Sequence, residues 1–248
     1  MIQIFPPEGD IKTTIELPGS KSISNRLLMI RAISGLAVHF KNLSDSEDTI
    51  LLAKALGQIK DKKSAALDIN HAGTNMRFLT AYLAVKEGEW IITGSQRMKQ
   101  RPISELVNAL RELGANISYL EKDGFPPLKI TGQKLYGGRI EIDGSISSQF
   151  ISALLLIAPK FGDELEIVLK GNIVSVPYIK MTVELLKLFG VYVSFHENKI
   201  VISPSQFMMD NDQVLIESDW SAASYWYGMV ALSENADVEL RFLDKFSL

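Results

Sequence analysis

The sequence predicts an α/β fold assembled from repeated supersecondary units, on three observations. Helical segments end alike in AKALGQI, NALRELGANI and ELLKLFGVYV, placing Gly57, Gly114 and Gly190 where a helix C-cap falls, 57 and 76 residues apart. A second series opens on small polar residues and continues apolar: SISNRLLMIRAIS, GTNMRFLTAYLA, SSQFISALLLIA and SDWSAASYWYGMVAL, with hydroxyl heads at Ser22, Thr74, Ser148 and Ser221, spaced by 52, 74 and 73 residues. Between the two series lie short β-branched or alternating stretches, so that each unit reads helix, strand, helix and then a pair of strands.

The elements follow in chain order. A short alternating strand precedes LPGSKSISNR, and the first unit runs from Ser22 to about Ile69, the shortest of the set. The second has a helix near 73–86, the strand EWIIT, a helix starting at Pro102, and the strands NISYL and LKIT. Proline suits a first helical turn because it gives up an N–H that has no intrahelical acceptor there. The third has a helix over 148–158, the strand ELEIVL, a helix after Pro177, and the strands VYVSF and KIVIS. A fourth opens at Asp219 and supplies one strand, ADVELRF, before Leu248. An interrupted unit cannot bury its apolar face alone, so the chain reads as part of a longer protein. With no Gly/Ser linker present, domain boundaries are expected where strands cross, near 10–20 and 205–217.

Composition bounds the function. The chain has 248 residues, 46% of them hydrophobic and 22% charged, enough for one large domain or two smaller ones. A net charge of −3 argues against general nucleic-acid binding, which needs a basic face. No Cys is present, which excludes disulfides, zinc-thiolate centres and a cysteine nucleophile and fits a cytoplasmic location. No run of 18 apolar residues and no leader-like amino terminus points to a membrane. No metal-binding motif occurs, and the P-loop and the G-x-G-x-x-G fingerprint are both missing.

The polar helix heads carry the chemistry. A helix amino terminus presents unpaired N–H groups and the positive end of the macrodipole, so hydroxyls there with a cation one turn later suit an anion. Ser22 and Arg26 share a face in SKSISNR, as do Lys21 and Asn25, and Gly73 and Arg77 repeat the spacing in HAGTNMR. GSQRMKQRPIS adds Arg97, Lys99 and Arg101, and GSISSQ adds three hydroxyls and an amide. Singly, Ser22 or Ser148 is as well explained as an N-cap, Lys99 as a solvated charge, Arg77 as half of a structural salt bridge, Tyr178 as packing, His71 as a turn residue, and Trp220 and Trp226 as core or groove filling. Repetition of donor-rich heads with almost no acids among them favours a site for several anionic groups, such as a phosphate and a carboxylate.

PGSKSISNR, AGTNMRFLTA, RMKQRPISELVNALRELGA, GSISSQFISALLLIAP, SVPYIKMT and SDWSAASY, in this order, resemble the 5-enolpyruvylshikimate-3-phosphate synthase family across essentially the whole chain. The resemblance implies an inside-out α/β barrel of three βαβαββ units over 15–215. It also implies a second, incomplete domain contributing 1–14 as its first strand and 216–248 as its opening unit. It implies transfer of the enolpyruvyl group of phosphoenolpyruvate to the 5-hydroxyl of shikimate 3-phosphate, with loss of phosphate and without a metal or organic cofactor, in the route to chorismate and the aromatic amino acids. Carried over by motif, Lys21 lies between the two substrates and Ser22 and Arg26 bind the shikimate part. Gly73 and Arg101 line the phosphoenolpyruvate side; Ser147, Ser148 and Ser175 hold shikimate 3-phosphate with Gln149 against its ring; Thr74 and Tyr178 complete the substrate-binding set.

There are departures. His71 stands where the family commonly has Asn, and Phe78 where it often has Pro. The family's catalytic Asp and Glu belong to the other domain, beyond residue 248; Asp219 matches a family position without being assigned as the general base. The chain alone is therefore expected to be inactive and to need the missing carboxy-terminal part of the same protein. Two other functions follow from the same residues: a non-catalytic module that binds shikimate 3-phosphate, and the related UDP-N-acetylglucosamine enolpyruvyl transferase, against which SKSISNR and the lack of Cys both count.

Overall fold

The structure is a computed structural model that describes residue 3 and residues 9–247. Of the amino-terminal strand segment expected over 1–14, residues 1, 2 and 4–8 therefore lie outside the described residues.

Two complete units give the molecule its body. The first comprises β3 (Ser64–Asp68), α3 (Gly73–Val85), β4 (Gly88–Thr93), α4 (Ser104–Glu112), β5 (Asn116–Tyr119) and β6 (Leu128–Gly132). The second comprises β7 (Gly138–Asp143), α5 (Ser148–Ile157), β8 (Leu165–Lys170), α6 (Val176–Leu188), β9 (Val193–His196) and β10 (Lys199–Ile202). Their sheets have the same plan, β3-β4-β6-β5 and β7-β8-β10-β9, with the first pair parallel and the other two antiparallel. Strand periodicity accounts for this. Trp90 and Ile92 of β4 point inward with Leu128 and Ile130 of β6, and Leu165, Ile167 and Leu169 of β8 do so with Ile200 and Ile202 of β10, while the intervening residues are at least partly exposed except Val168, which is also buried.

The unit before these is abridged. It holds α1 (Lys21–Ser34), β2 (His39–Lys41) and α2 (Glu47–Ile59), and only residues 60–63 join α2 to β3, too few for the hairpin that closes the other units. Its sheet has two strands, β2 pairing in parallel with β11 (Gln213–Leu215) from the far end of the chain. The remaining elements are β1 (Ile11–Glu16), α7 (Trp220–Leu232) and β12 (Ala236–Arg241), with β1 and β12 parallel in register from Ile11 opposite Ala236 to Glu16 opposite Arg241. The two segments that lead into this layer run side by side. Ser20 N–H donates to the Glu217 carbonyl at 2.8 Å and Asp219 N–H to the Pro18 carbonyl at 2.9 Å.

Helices, not sheets, form the centre. α1, α3 and α5 pack on one another, and α5 carries almost no polar face: Phe150, Ile151 and every residue from Ala153 to Ile157 are buried. A helix apolar all round must be enclosed, and the sheets enclose it from outside.

Several local expectations shift. Gly57 lies inside α2, which continues to Ile59 and ends on Lys60 in right-handed helical geometry, so it is no C-cap; Gly114 and Gly190 do adopt the positive φ, +94° and +73°, that a terminating glycine supplies. The helix expected at Pro102 starts at Ser104, after a 3-10 turn over Met98–Gln100, and α6 takes Pro177 into its first turn instead of following it. The true N-caps of α1, α5 and α7 are Ser20, Ser147 and Asp219, whose side chains accept the N–H groups of the first turn, while α3 begins after Ala72 without a side-chain cap. Ser22, Thr74, Ser148 and Ser221 are thus free of capping duty.

Candidate functional site

The amino termini of α1, α2, α3, α5, α6 and α7 converge on one cavity of about 580 Å³. Lys21, Ser22 and Arg26 come from α1, Ser44 to Ser46 from the start of α2, Thr74 from α3, Ser147 to Gln149 from α5, Ser175 and Tyr178 from α6, and Asp219 and Ser221 from α7. Six helix amino termini over a cavity lined largely by hydroxyls, with Lys21 and Arg26 among them, favour an anion. Nine of the eleven sequence-assigned binding residues line it: Lys21, Ser22, Arg26, Thr74, Ser147, Ser148, Gln149, Ser175 and Tyr178. Gly73 and Arg101 are not in that lining. They lie against each other beside Thr74, so closely that a Cβ on Gly73 would overlap the Arg101 guanidinium.

Buried polar contacts hold the heads together. Thr49 Oγ donates to Asn25 Oδ1 at 2.7 Å, Asn25 Nδ2 donates to Asn75 Oδ1 at 3.5 Å, and Asn75 Nδ2 to the Asp48 carbonyl at 2.7 Å, tying α1, α2 and α3. Ser24 Oγ accepts from Ser44 N–H at 3.0 Å. Such satisfied buried networks fix relative orientation, because breaking one leaves a desolvated donor. Asn25, Asn75 and Thr49 were not singled out as site residues by sequence. Asn25 was legible only as a neighbour of Lys21 on the helix face, and the other two had no local signal. At the mouth, Ser175 sits at φ +55°, a left-handed conformation that a non-glycine residue adopts at a cost of about 1 kcal/mol or more.

Arg26 is the electrostatic centre. It is 3% exposed and makes four hydrogen bonds, all to neutral acceptors: Nε–H to Thr182 Oγ at 2.7 Å, Nη1 to the Ser22 carbonyl at 2.9 Å, and Nη2 to Ser152 Oγ at 3.2 Å and the Tyr178 carbonyl at 3.3 Å. The rings of Phe78 and Tyr178 lie 5.5 and 5.9 Å from its guanidinium carbon. No carboxylate pairs with it among the described residues. Burial accordingly draws its pKa well below the ordinary guanidinium value, to about 10, opposed in part by Tyr178. Phe78, where the resemblance implies a frequent Pro, leaves α3 unbroken and packs its ring toward this cation.

Arg77 repeats the pattern one unit on. It is buried, bonds the Gly73 and Pro102 carbonyls at 2.9 and 3.2 Å, and has no partner for Nε; burial first, and the Arg101 charge second, bring it to about 10. The salt bridge considered for it is absent among the described residues.

Acids are more numerous here than the helix heads suggested. Asp45 and Asp219 line the cavity and Asp48 lies 3.9 Å from Lys21 Nζ. The Asp219 carboxylate is engaged locally. Its Oδ2 accepts from Lys21 N–H at 3.2 Å, and Oδ1 accepts from Ser221 and Ala222 N–H at 2.8 and 3.1 Å, so one carboxylate caps α1 and α7 together. His71 is half exposed, 3.6 Å from Glu47, and Lys99 pairs with Glu121 at 2.6 Å with its side chain only 24% exposed, so it is held in an ion pair instead of standing as a free solvated charge. Trp220 and Trp226 line a separate groove between α7 and β12. Among the described residues no cluster of His, Asp and Glu has the make-up of a metal site, and no helix is long and apolar enough to cross a membrane.

Comparison with known proteins agrees with these features. The family model of EPSP synthase (3-phosphoshikimate 1-carboxyvinyltransferase) matches residues 6–65 and 53–247. A 3-phosphoshikimate 1-carboxyvinyltransferase of Bacteroides fragilis (strain YCH46) is 50% identical over 248 residues, covering 100% of this chain and 59% of the relative. That of Histophilus somni (strain 2336) is 41% identical over 258 residues, covering 94% of this chain and 60% of the relative. A solved structure of EPSP synthase from Acinetobacter baumannii superposes with a TM-score of 0.84 at 26% identity, covering 98% of this chain and 58% of that one. The chain thus spans about three fifths of the length of the curated relatives it matches. Its unit architecture, its cavity of helix heads and these matches together make it a member of the EPSP synthase family.

Proposed function

We propose that this chain is the shikimate 3-phosphate-binding part of an enzyme that transfers the enolpyruvyl group of phosphoenolpyruvate to the 5-hydroxyl of shikimate 3-phosphate, releasing phosphate. The observation that carries this is Arg26: a cation 3% exposed, with no carboxylate partner among the described residues, on a cavity rimmed by six helix amino termini. A desolvated, unpaired charge is costly, and an anionic ligand offsets that cost. Ser22, Ser147, Ser148 and Ser175 supply neutral donors for a sugar-like ring and its phosphate, with Gln149 and Tyr178 against the ring. Lys21, Thr74 and the Gly73–Arg101 corner supply the side on which phosphoenolpyruvate enters.

On this reading residues 15–215 form one lobe, and 1–14 with 216–248 belong to a second. The parallel pairing of β1 with β12 and the adjacent crossings at Gly19 and Ser218 support that division. The groove of about 540 Å³ lined by Trp220, Trp226, Tyr227, Val230 and Leu240 is then where the further length of the relatives packs. That added wall would bring the acid–base groups and close the cavity against water, in a cytoplasmic protein.

Calorimetric titration of the chain with shikimate 3-phosphate tests the reading. Binding is expected, with Arg26→Ala and Ser148→Ala both weakened, and with no phosphate release when phosphoenolpyruvate is added. Equal affinity in both variants and the parent would overturn the site, and turnover by the chain alone would overturn the assignment of catalysis to the second lobe.

A further inference from the structure

We propose that Ser152 and Thr182 are positioning residues for Arg26: a hydroxyl pair that fixes the guanidinium beside the cavity without neutralising it. The inference rests on the reading of Arg26 as an anion ligand. Neither residue lines the cavity and both are fully buried, Ser152 on α5 and Thr182 on α6. Thr182 Oγ accepts the Arg26 Nε–H at 2.7 Å and Ser152 Oγ accepts from Nη2 at 3.2 Å. The Thr182 hydroxyl proton has two acceptors at 2.9 Å, Ser152 Oγ and the Tyr178 carbonyl. The pair therefore locks to α6 and α5 at once, and through Arg26 to α1.

Two consequences follow from the donor count. A guanidinium has five N–H groups. Thr182, Ser152 and the Tyr178 carbonyl take Nε–H and both Nη2 hydrogens, and the Ser22 carbonyl takes one from Nη1. One Nη1 hydrogen remains without a protein acceptor among the described residues, on a side chain that borders the cavity. Because four hydrogens are pinned, the planar group cannot rotate to bury that remaining edge. The acceptors are also chemically selected: a carboxylate at 152 or 182 would satisfy the same geometry but cancel the charge and compete with the ligand, whereas a hydroxyl accepts without a charge of its own. The same three helices carry Ser22, Ser148 and Ser175, so the hydroxyl pair sets the cation in register with the serine donors.

The test uses the whole 248-residue chain in four forms: unaltered, Thr182→Val, Ser152→Ala and Thr182→Ser. Shikimate 3-phosphate affinity is read by calorimetry, and protection of the Arg26 Nε–H from water exchange is read by NMR in the ligand-free protein. Thr182→Val keeps the volume and removes the acceptor; it is expected to weaken binding about tenfold, with Ser152→Ala weakening it less, since a lost hydrogen bond to a charged group is worth about that factor. Thr182→Val should also expose the Nε–H to exchange, and Thr182→Ser should restore both affinity and protection even where its melting temperature is lower. Binding by Thr182→Val equal to that of the unaltered chain, whatever its stability, would overturn the proposal. Absence of binding by the unaltered chain, with protection still lost in Thr182→Val, upholds the positioning of Arg26 and removes only the ligand named above. Absence of binding with protection unchanged in Thr182→Val overturns both.

Discussion

α5 and α7 begin alike and end differently. Each opens on a polar cap at the cavity rim and continues as a mainly apolar helix, SQFISALLLI in one and WSAASYWYGMVAL in the other. In α5 nearly every side chain is buried, because α3 and α6 flank it and two four-stranded sheets close over the bundle. In α7 only Ala223 is buried; Tyr225 is 76% and Leu232 91% exposed, and β1 and β12 have no buried residue either. Apolar composition sets what a helix can bury, and the number of elements stacked on it sets what it does bury. Stability is therefore concentrated in the body, while the α7 layer is held mainly by backbone pairing and by Asp219.

This contrast has measurable consequences. The largest effect is expected in the body: Leu154→Ala, at a fully buried position of α5, should cost about 3 kcal/mol in denaturant unfolding, through lost burial and an unfilled cavity. A cost under about 1 kcal/mol there would mean that the body is as loosely packed as the α7 layer. Arg26→Met should abolish shikimate 3-phosphate binding, at least a hundredfold loss or about 3 kcal/mol, yet lower stability far less than Leu154→Ala does. Removing a desolvated cation offsets the hydrogen bonds it leaves behind.

The titration of Arg26 gives the same point a pH signature. Burial lowers its pKa from the ordinary guanidinium value to about 10 in the folded chain. Between these values the unfolded chain binds more protons, so this group makes stability rise with pH through that window, and its charged form costs about 3 kcal/mol below it. Affinity for the anion should move the other way: steady from pH 7 to 9, and falling as pH passes through 10. Calorimetry across this range checks it, and a flat affinity up to pH 11 would show that Arg26 keeps its proton in spite of its burial.

Smaller effects belong to the α7 layer. Asp219→Ala deprives both α1 and α7 of N-terminal acceptors and should cost about 1–2 kcal/mol, with hydrogen exchange rising first in residues 220–232. Leu232→Ser, in contrast, should change unfolding free energy by less than about 0.5 kcal/mol while reducing binding of an apolar dye. A larger loss would show that the layer has a core of its own.

Much of this was legible in the chain as letters. Apolar side chains recurring every three to four residues before Gly114 and Gly190, and alternating in EWIIT and ELEIVL, specify helices and strands through interactions a few residues long. The helix heads were legible for the same reason, since hydroxyls beside a cation at the start of an apolar run are a local pattern. Gly57 shows the limit: the identical ending pattern was overridden because α2 had room to continue. The short strands β2 and β11 had no local signal, because each exists only by pairing with the other, more than 170 residues away. Ser152 and Thr182 were equally silent. A hydroxyl on a buried helix face looks like packing in one dimension, and only the approach of α1, α5 and α6 makes those two residues the acceptors of Arg26. Local periodicity was thus enough to specify the units and mark their polar ends. Convergence of six such ends, the missing charge partner of Arg26 and the bare face of α7 arise from contacts distant in sequence, whose energies no short stretch encodes.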